Sequence, residues 1–248
     1  MREGEGEAEA RALVRRLGAL EEGPIRARAA ARALARDDPE RAALALAALA
    51  RASDAPARAA LLAVGQAFLD PAAELDYDAR AALYAAAAAR DLSEVTTLFL
   101  SPPPLKEWTP PREPPDARLA KLSLGHKKAA ARAQKDPDLL ARLAAEGAPE
   151  VVRELLKNPL ITEAFAVRIA ARRPCRPDTL RLLAESRRFR TQPAVAMAIA
   201  RNPYTEPAVA LKLVGFLGAA ELEDLGRDGA IHPLVRAHCR RLAASRAP

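Results

Sequence analysis

Proline interrupts this chain at short, recurring intervals, and that limits its fold more than any other feature. A proline inside a helix loses one backbone hydrogen bond and clashes with the preceding turn, so each one sets a helix boundary. Between the prolines, apolar residues recur at helical spacing, as in Ala12, Leu13, Leu17 and Leu20. The chain therefore reads as many short helices rather than a few long ones. Asp38-Pro39, Asp54-Ala55-Pro56 and Asp70-Pro71 combine an N-cap residue with a first-turn proline, and the prolines stand 17 and 15 residues apart.

A second rhythm runs from Leu124 to Phe216. Ala129 to Pro137 and Val151 to Pro159 are similar segments offset by 22 residues, and Val195 to Pro203 lies 44 further on. Each reads as a short helix ended at Pro137, Pro159 or Pro203 and followed by a Leu-rich helix. Asn158 and Asn202, just before the proline, are expected to seal the bend by bonding backbone groups. A fixed period in this range marks repeats that bury their apolar faces by stacking on neighbours. One repeat is irregular: Arg172-Arg173-Pro174-Cys175-Arg176-Pro177 replaces a short helix, and the loop from Ser186 to Pro193 is correspondingly long.

Half of the residues are hydrophobic, only 4% are aromatic, and alanine dominates. Small side chains let helix axes approach to about 8 Å, the close end of the normal range. Ala, Leu, Arg and Glu favour helix over strand. The expected fold class is all-α, an α-solenoid of short helical repeats in two blocks. The expected division is a helical block at 1–100, a Pro-rich linker or strap at 101–116, and a repeat block at 117–248 that ends in capping helices. Residues 1–6 are expected to fray.

Seven of the 16 residues from Ser101 to Asp116 are proline, which excludes helix and central strand and predicts extended polyproline II. It is either a free spacer or a strap anchored by Trp108, the one tryptophan of the chain; a Pro-rich ligand for an SH3-like partner is a third reading. The strap is favoured, because a free linker rarely keeps an indole.

The motif of short helix, Asn-Pro, then Leu-rich helix, carried by Val151 to Ile169, Val195 to Leu213 and a weaker copy at Ala129 to Leu143, resembles the variant leucine-rich repeat. More loosely it resembles HEAT-like bacterial repeat proteins of unassigned function. The resemblance covers about 90 residues and implies a stacked superhelix, with no particular activity. Some variant leucine-rich repeat proteins carry an iron–sulfur cluster on a Cys-rich segment. This chain has no such segment, so no cofactor follows. HEAT-like DNA glycosylases are a further comparison, but their aromatic-lined face and catalytic carboxylate have no match here.

The net charge of +7 is uneven: residues 1–100 carry 13 Lys/Arg and 16 Asp/Glu, residues 101–248 carry 26 and 16. The basic half suits an anionic partner. Candidate macromolecule-binding residues are Arg172, Arg173, Arg176, Arg187, Arg188 and Arg190 in two loops flanking one helix, with Phe189 as a stacking surface. The competing reading is solvated arginines around a Phe189 buried in the core. His126, Lys127 and Lys128 at a helix start oppose the macrodipole and form a candidate anion site. Cys175 and Cys239 fit no zinc spacing, and no metal site is expected. No GxGxxG, Walker, HExxH or GxSxG motif is present, so an enzyme is not expected. The acidic start lacks a signal core and no apolar run spans a membrane, which makes the cytoplasm the expected location. The expected function is a non-catalytic scaffold or adaptor binding a protein on a curved face; the alternative is nucleic-acid binding through the Arg-rich half.

Overall fold

The computed structural model describes residues 2–21, 23–110 and 116–247, and over these the chain is all-α with two 3₁₀ turns and no strand. The first helices are α1 (Arg2–Gly18), α2 (Pro24–Arg36), α3 (Pro39–Arg51), α4 (Ala55–Leu69), α5 (Tyr77–Ala88) and α6 (Ser93–Thr96). The middle of the chain forms α7 (Ala117–Ala120), α8 (Leu124–Ala133), α9 (Pro137–Glu146), α10 (Pro149–Leu155), α11 (Glu163–Ala171), α12 (Pro177–Glu185) and α13 (Pro193–Ala200). The end forms α14 (Pro207–Val214), α15 (Ala219–Arg227) and α16 (Pro233–Ser245).

Proline opens helices more often than it closes them. α2, α3, α9, α10, α12, α13, α14 and α16 each begin on one, where its missing N–H needs no intrahelical partner. Aspartate supplies many of the caps: Asp38 Oδ1 accepts from the amides of Glu40 and Arg41 at 3.0 and 3.2 Å, and Asp54 from Ala57 at 2.9 Å. This corrects one expectation. Pro137 starts α9, with Asp136 accepting from Asp138 N at 2.9 Å, whereas Pro159 and Pro203 lie in turns ahead of α11 and α14. The 22-residue likeness therefore joins unlike places, because Asp can only accept at a helix start while Asn can also donate. The 44-residue likeness joins equivalent ones.

The chain divides into two units, one of residues 1–103 with 207–248 and one of residues 104–206. This differs from the expected boundaries at 100 and 116, since α14, α15 and α16 group with the N-terminal helices rather than with the repeats. In the first unit α1 packs on α3, α2 on α4, and α3 on α5. Gly6 of α1 comes so close to α3 that a Cβ there would stand 2.9 Å from Leu44 Cβ, so this residue is packed helix and not frayed end. Gly65 of α4 does the same for α14, where an added Cβ would meet Lys212 O at 2.8 Å. α16 then lies against α3, α6 and α14. Arg246 closes the unit: buried, it donates to Ala50 O (2.8 Å), Leu217 O (2.7 Å) and Gly215 O (2.9 Å). Ala50 lies in the last turn of α3 and Gly215 and Leu217 just after α14, where a helix leaves acceptors unpaired.

In the second unit α8 packs on α10, α10 on α12, and α11 on α13. The two asparagines staple this packing in one manner. Asn158 Oδ1 accepts from Leu160 N (3.0 Å) while its Nδ2 donates to Ala131 O (3.0 Å) and Gln134 O (2.9 Å) at the end of α8. Asn202 accepts from Tyr204 N (3.1 Å) and donates to Ala170 O (2.6 Å) and Arg172 O (2.8 Å) at the end of α11. Each seals its own bend as expected, and each also satisfies orphan carbonyls of a neighbouring helix.

Candidate binding groove

α9 and α11 carry a strip of small apolar residues that no larger side chain fills. Two cavities of about 390 and 230 Å³ share Ala144, Ala145, Ile169 and Arg172 and so run together as one groove. Phe165 and Arg168 of α11 line one end; Trp108, Cys175, Arg176 and Thr179 line the other. The strap forms this second wall. Lys106 N donates to Pro203 O at 3.0 Å, and the half-buried Trp108 ring lies 4.4 Å from the Arg176 guanidinium carbon. The strap thus touches the repeats at Lys106 and Trp108, while 111–115 of the Pro-rich segment lie outside the described residues.

The rim is cationic. Arg168 sits 4.9 Å over Phe165, and Arg172 is the exposed residue that ends α11. Neither has a carboxylate partner among the described residues. The one acid lining the groove, Glu146, is paired with Lys127. The Cys175 thiol is buried and pushed up to about 11 by desolvation, with Arg172 opposing, so it is no nucleophile at neutral pH. Counted over residues 104–206, 20 Lys/Arg face 12 Asp/Glu, a net +8 against −1 for the remainder. The repeat unit therefore carries the excess positive charge, and the first unit is close to neutral.

The seven residues proposed from sequence as a macromolecule-binding cluster separate. Arg172 and Arg176 join the groove. Arg173 donates to Arg201 O at 2.8 Å; Arg188 donates to Asn158 O and Pro159 O at 2.9 and 3.0 Å and covers Phe189, with 5.0 Å to the ring. Phe189 is 2% exposed and Arg190 is buried, so the stacking surface expected there is core; Arg187 is exposed. The proposed anion site also closes from within. Ser123 Oγ takes the His126 amide (3.3 Å) and holds the His126 ring (2.7 Å), Lys127 is buried against Glu146, and Lys128 is half-buried. The cation that opposed the macrodipole has its own counter-ion on α9.

Arg168 and Phe165 were missed as site residues. The spacing of Arg168, Arg172 and Arg176 at intervals of four was the available signal, obscured because the chain leaves the helix after Ala171.

The first unit holds a larger groove, about 690 Å³, beside α1, α3 and α4, but Glu7, Arg11, Arg15, Arg51 and Asp54 give its rim mixed charge and no aromatic lines it. The histidine of α16 is a core residue: His238 is 1% exposed, and burial together with Arg241 and Arg246 pushes its pKa down to about 3. Burial pushes its neighbour Cys239 up to about 12. His232 Nδ1 caps α16 by accepting from Leu234 N at 3.2 Å. Among the described residues no group of three or more His, Cys, Asp and Glu could hold a metal ion, and no helix is long and apolar enough to cross a membrane. No family model, curated protein or solved structure matches the chain.

Proposed function

We propose that this chain is a non-catalytic scaffold or adaptor whose repeat unit, residues 104–206, takes a macromolecular partner in the groove of α9 and α11. The observation that carries the reading is the combination of an apolar floor of Ala144, Ala145 and Ile169 with unpaired cations at Arg168 and Arg172. Elsewhere in the unit Arg132 is paired with Glu154 at 2.6 Å, whereas Arg168 and Arg172 border the apolar floor with their charge open to a ligand. The packing of α8 on α10 and α10 on α12 supports the solenoid reading, in which a helix buries its face on the helix two along. The cytoplasm remains the proposed location, with both thiols reduced.

Nucleic-acid binding is the second reading, favoured by the +8 charge of the repeat unit. A single comparison tests the first against it. The wild-type chain and the double variant Arg168→Glu, Arg172→Glu are immobilised and exposed to native host extract. Both residues are exposed, so the variant is expected to keep its circular dichroism spectrum, with a modest drop in thermal midpoint from the lost Arg168–Phe165 contact and the helix dipole. The scaffold reading expects a defined protein retained by the wild type and lost from the variant; the same proteins on both surfaces would remove the groove from consideration.

A further inference from the structure

The groove's two ends ask different things of a ligand, and together they describe one. Its floor is alanine and isoleucine, with Phe165 buried at one end, so it accepts aliphatic side chains and offers no hydrogen bonds to a base edge or a sugar. Its rim carries Arg168, Arg172 and Arg176 and no free carboxylate, because Lys127 neutralises Glu146. A single-stranded nucleic acid needs open aromatic faces on which bases stack. Here Phe165 and Phe189 are buried and the Trp108 ring lies against Arg176. The aromatic surface is already used by the chain's own cations.

We propose that the occupant is an acidic, amphipathic polypeptide segment. Its aliphatic side chains enter the cavity over Ala144, Ala145 and Ile169, and its carboxylates meet Arg168 and Arg172. Arginine suits this role because its planar fork can hold a carboxylate through two parallel hydrogen bonds. The docked strap fixes one wall, so the groove is formed before the segment arrives and little ordering is required of the protein. Trp108 contacts the site and is the one tryptophan in the chain, so the site carries its own optical reporter. This inference rests on reading the groove as the binding site, and it adds the chemistry of what binds there.

The test is a titration of the full chain at low and physiological salt, followed by Trp108 emission. One probe is a synthetic peptide with Leu at helical spacing along one stripe and Glu at the positions that flank it, so that the carboxylates reach the groove's rim. The controls are a scrambled peptide of identical composition, the same peptide with Lys for Glu, and a single-stranded oligodeoxynucleotide. The patterned acidic peptide is expected to shift Trp108 emission saturably. Binding is expected to weaken at least about tenfold for the scrambled peptide and for Arg172→Glu, and to be lost with the Lys peptide. The variant Ala145→Leu, which fills the floor and leaves charge untouched, is expected to weaken binding while keeping its dichroism spectrum. Equal binding of patterned and scrambled peptides would overturn the proposal, reducing the effect to net charge. Binding of the oligonucleotide in place of the peptide would also overturn it, while leaving the groove as a binding site. No response to any probe, with the same proteins retained by the Arg168→Glu, Arg172→Glu variant, would remove both readings.

Discussion

The two units face one problem, the unpaired carbonyls at helix ends, and solve it with different side chains. In the first unit arginine takes this role: Arg246 gathers three carbonyls, Arg240 takes Gly226 O at 2.6 Å and Arg58 takes Phe216 O at 3.3 Å. In the second unit Arg173 and Arg188 also take carbonyls, but the buried staples between helices belong to neutral Asn158 and Asn202. The units also differ in charge. In the first unit 19 Lys/Arg stand against 20 Asp/Glu, a net −1, and several of those arginines are engaged by the chain's own carbonyls. In the second unit, of net +8, Arg168 and Arg172 line the groove. An Arg-rich composition therefore says little about a partner until the carbonyl caps have been set apart.

The strongest way to break this contrast is to remove the inward arginine. Arg246→Met keeps the aliphatic stem but leaves three buried carbonyls without donors. We expect a loss of about 3–5 kcal/mol, read from urea denaturation followed by far-UV dichroism. The guanidinium has no carboxylate beside it; burial, helped by Arg58, lowers its pKa to about 10, so it stays charged at neutral pH. A loss under about 1 kcal/mol would mean that water or a local shift satisfies those carbonyls, and the first unit would not depend on its arginine.

The matching change in the second unit is Asn202→Ala, expected to cost about 2–3 kcal/mol through the orphaned Ala170 and Arg172 carbonyls. Asn202→Asp sharpens the point. It keeps the acceptor for Tyr204 N but sets a carboxylate against two carbonyl oxygens, so it should be at least as damaging as alanine. Trp108 emission reports unfolding of this unit directly. Were the aspartate variant as stable as the wild type, the donating half of the staple would carry no weight.

How much of this was legible in the sequence depends on the range of the interaction. Local signals were read well: the caps at Asp38 and Asp54, the bends at Asn158 and Asn202, and the all-α class all follow from residues within four positions of one another. Long-range ones were not. Arg246 reaches Ala50 across 196 residues, and nothing around either residue announces it. The return of α14 to α4 turns on Gly65, a glycine in mid-helix that reads as a weak spot until a second backbone is seen beside it. In the site, Trp108 was identifiable because an indole is too costly to leave on a free linker. Phe189 and its arginines misled because a loop written Arg-Arg-Phe-Arg looks the same whether its ring points outward or, as here, into the core. Lys127 misled for a related reason, since Glu146 sits 19 residues away on the next helix.

The smallest expected effect separates the units by pH. His238 lies in the core of the first unit, facing Arg241 and Arg246, and its pKa is about 3 against an ordinary value near 6.5. The unfolded chain therefore takes up a proton below pH 6.5 that the folded chain refuses until about pH 3. Stability from this group is fully present above pH 6.5 and falls as the pH drops through that window. By pH 5 the loss is about 2 kcal/mol, at about 1.4 kcal/mol per pH unit. His238→Leu removes the titration and leaves an apolar side chain in a buried position. Its stability relative to the wild type should rise between pH 7 and pH 5 by that amount, the carboxylates common to both chains cancelling in the difference. Asn202→Ala, in the unit without a buried histidine, should show a difference from wild type that stays flat over the same range. A flat difference for His238→Leu as well would mean that the ring takes up its proton in the folded state, which the cations packed around it oppose.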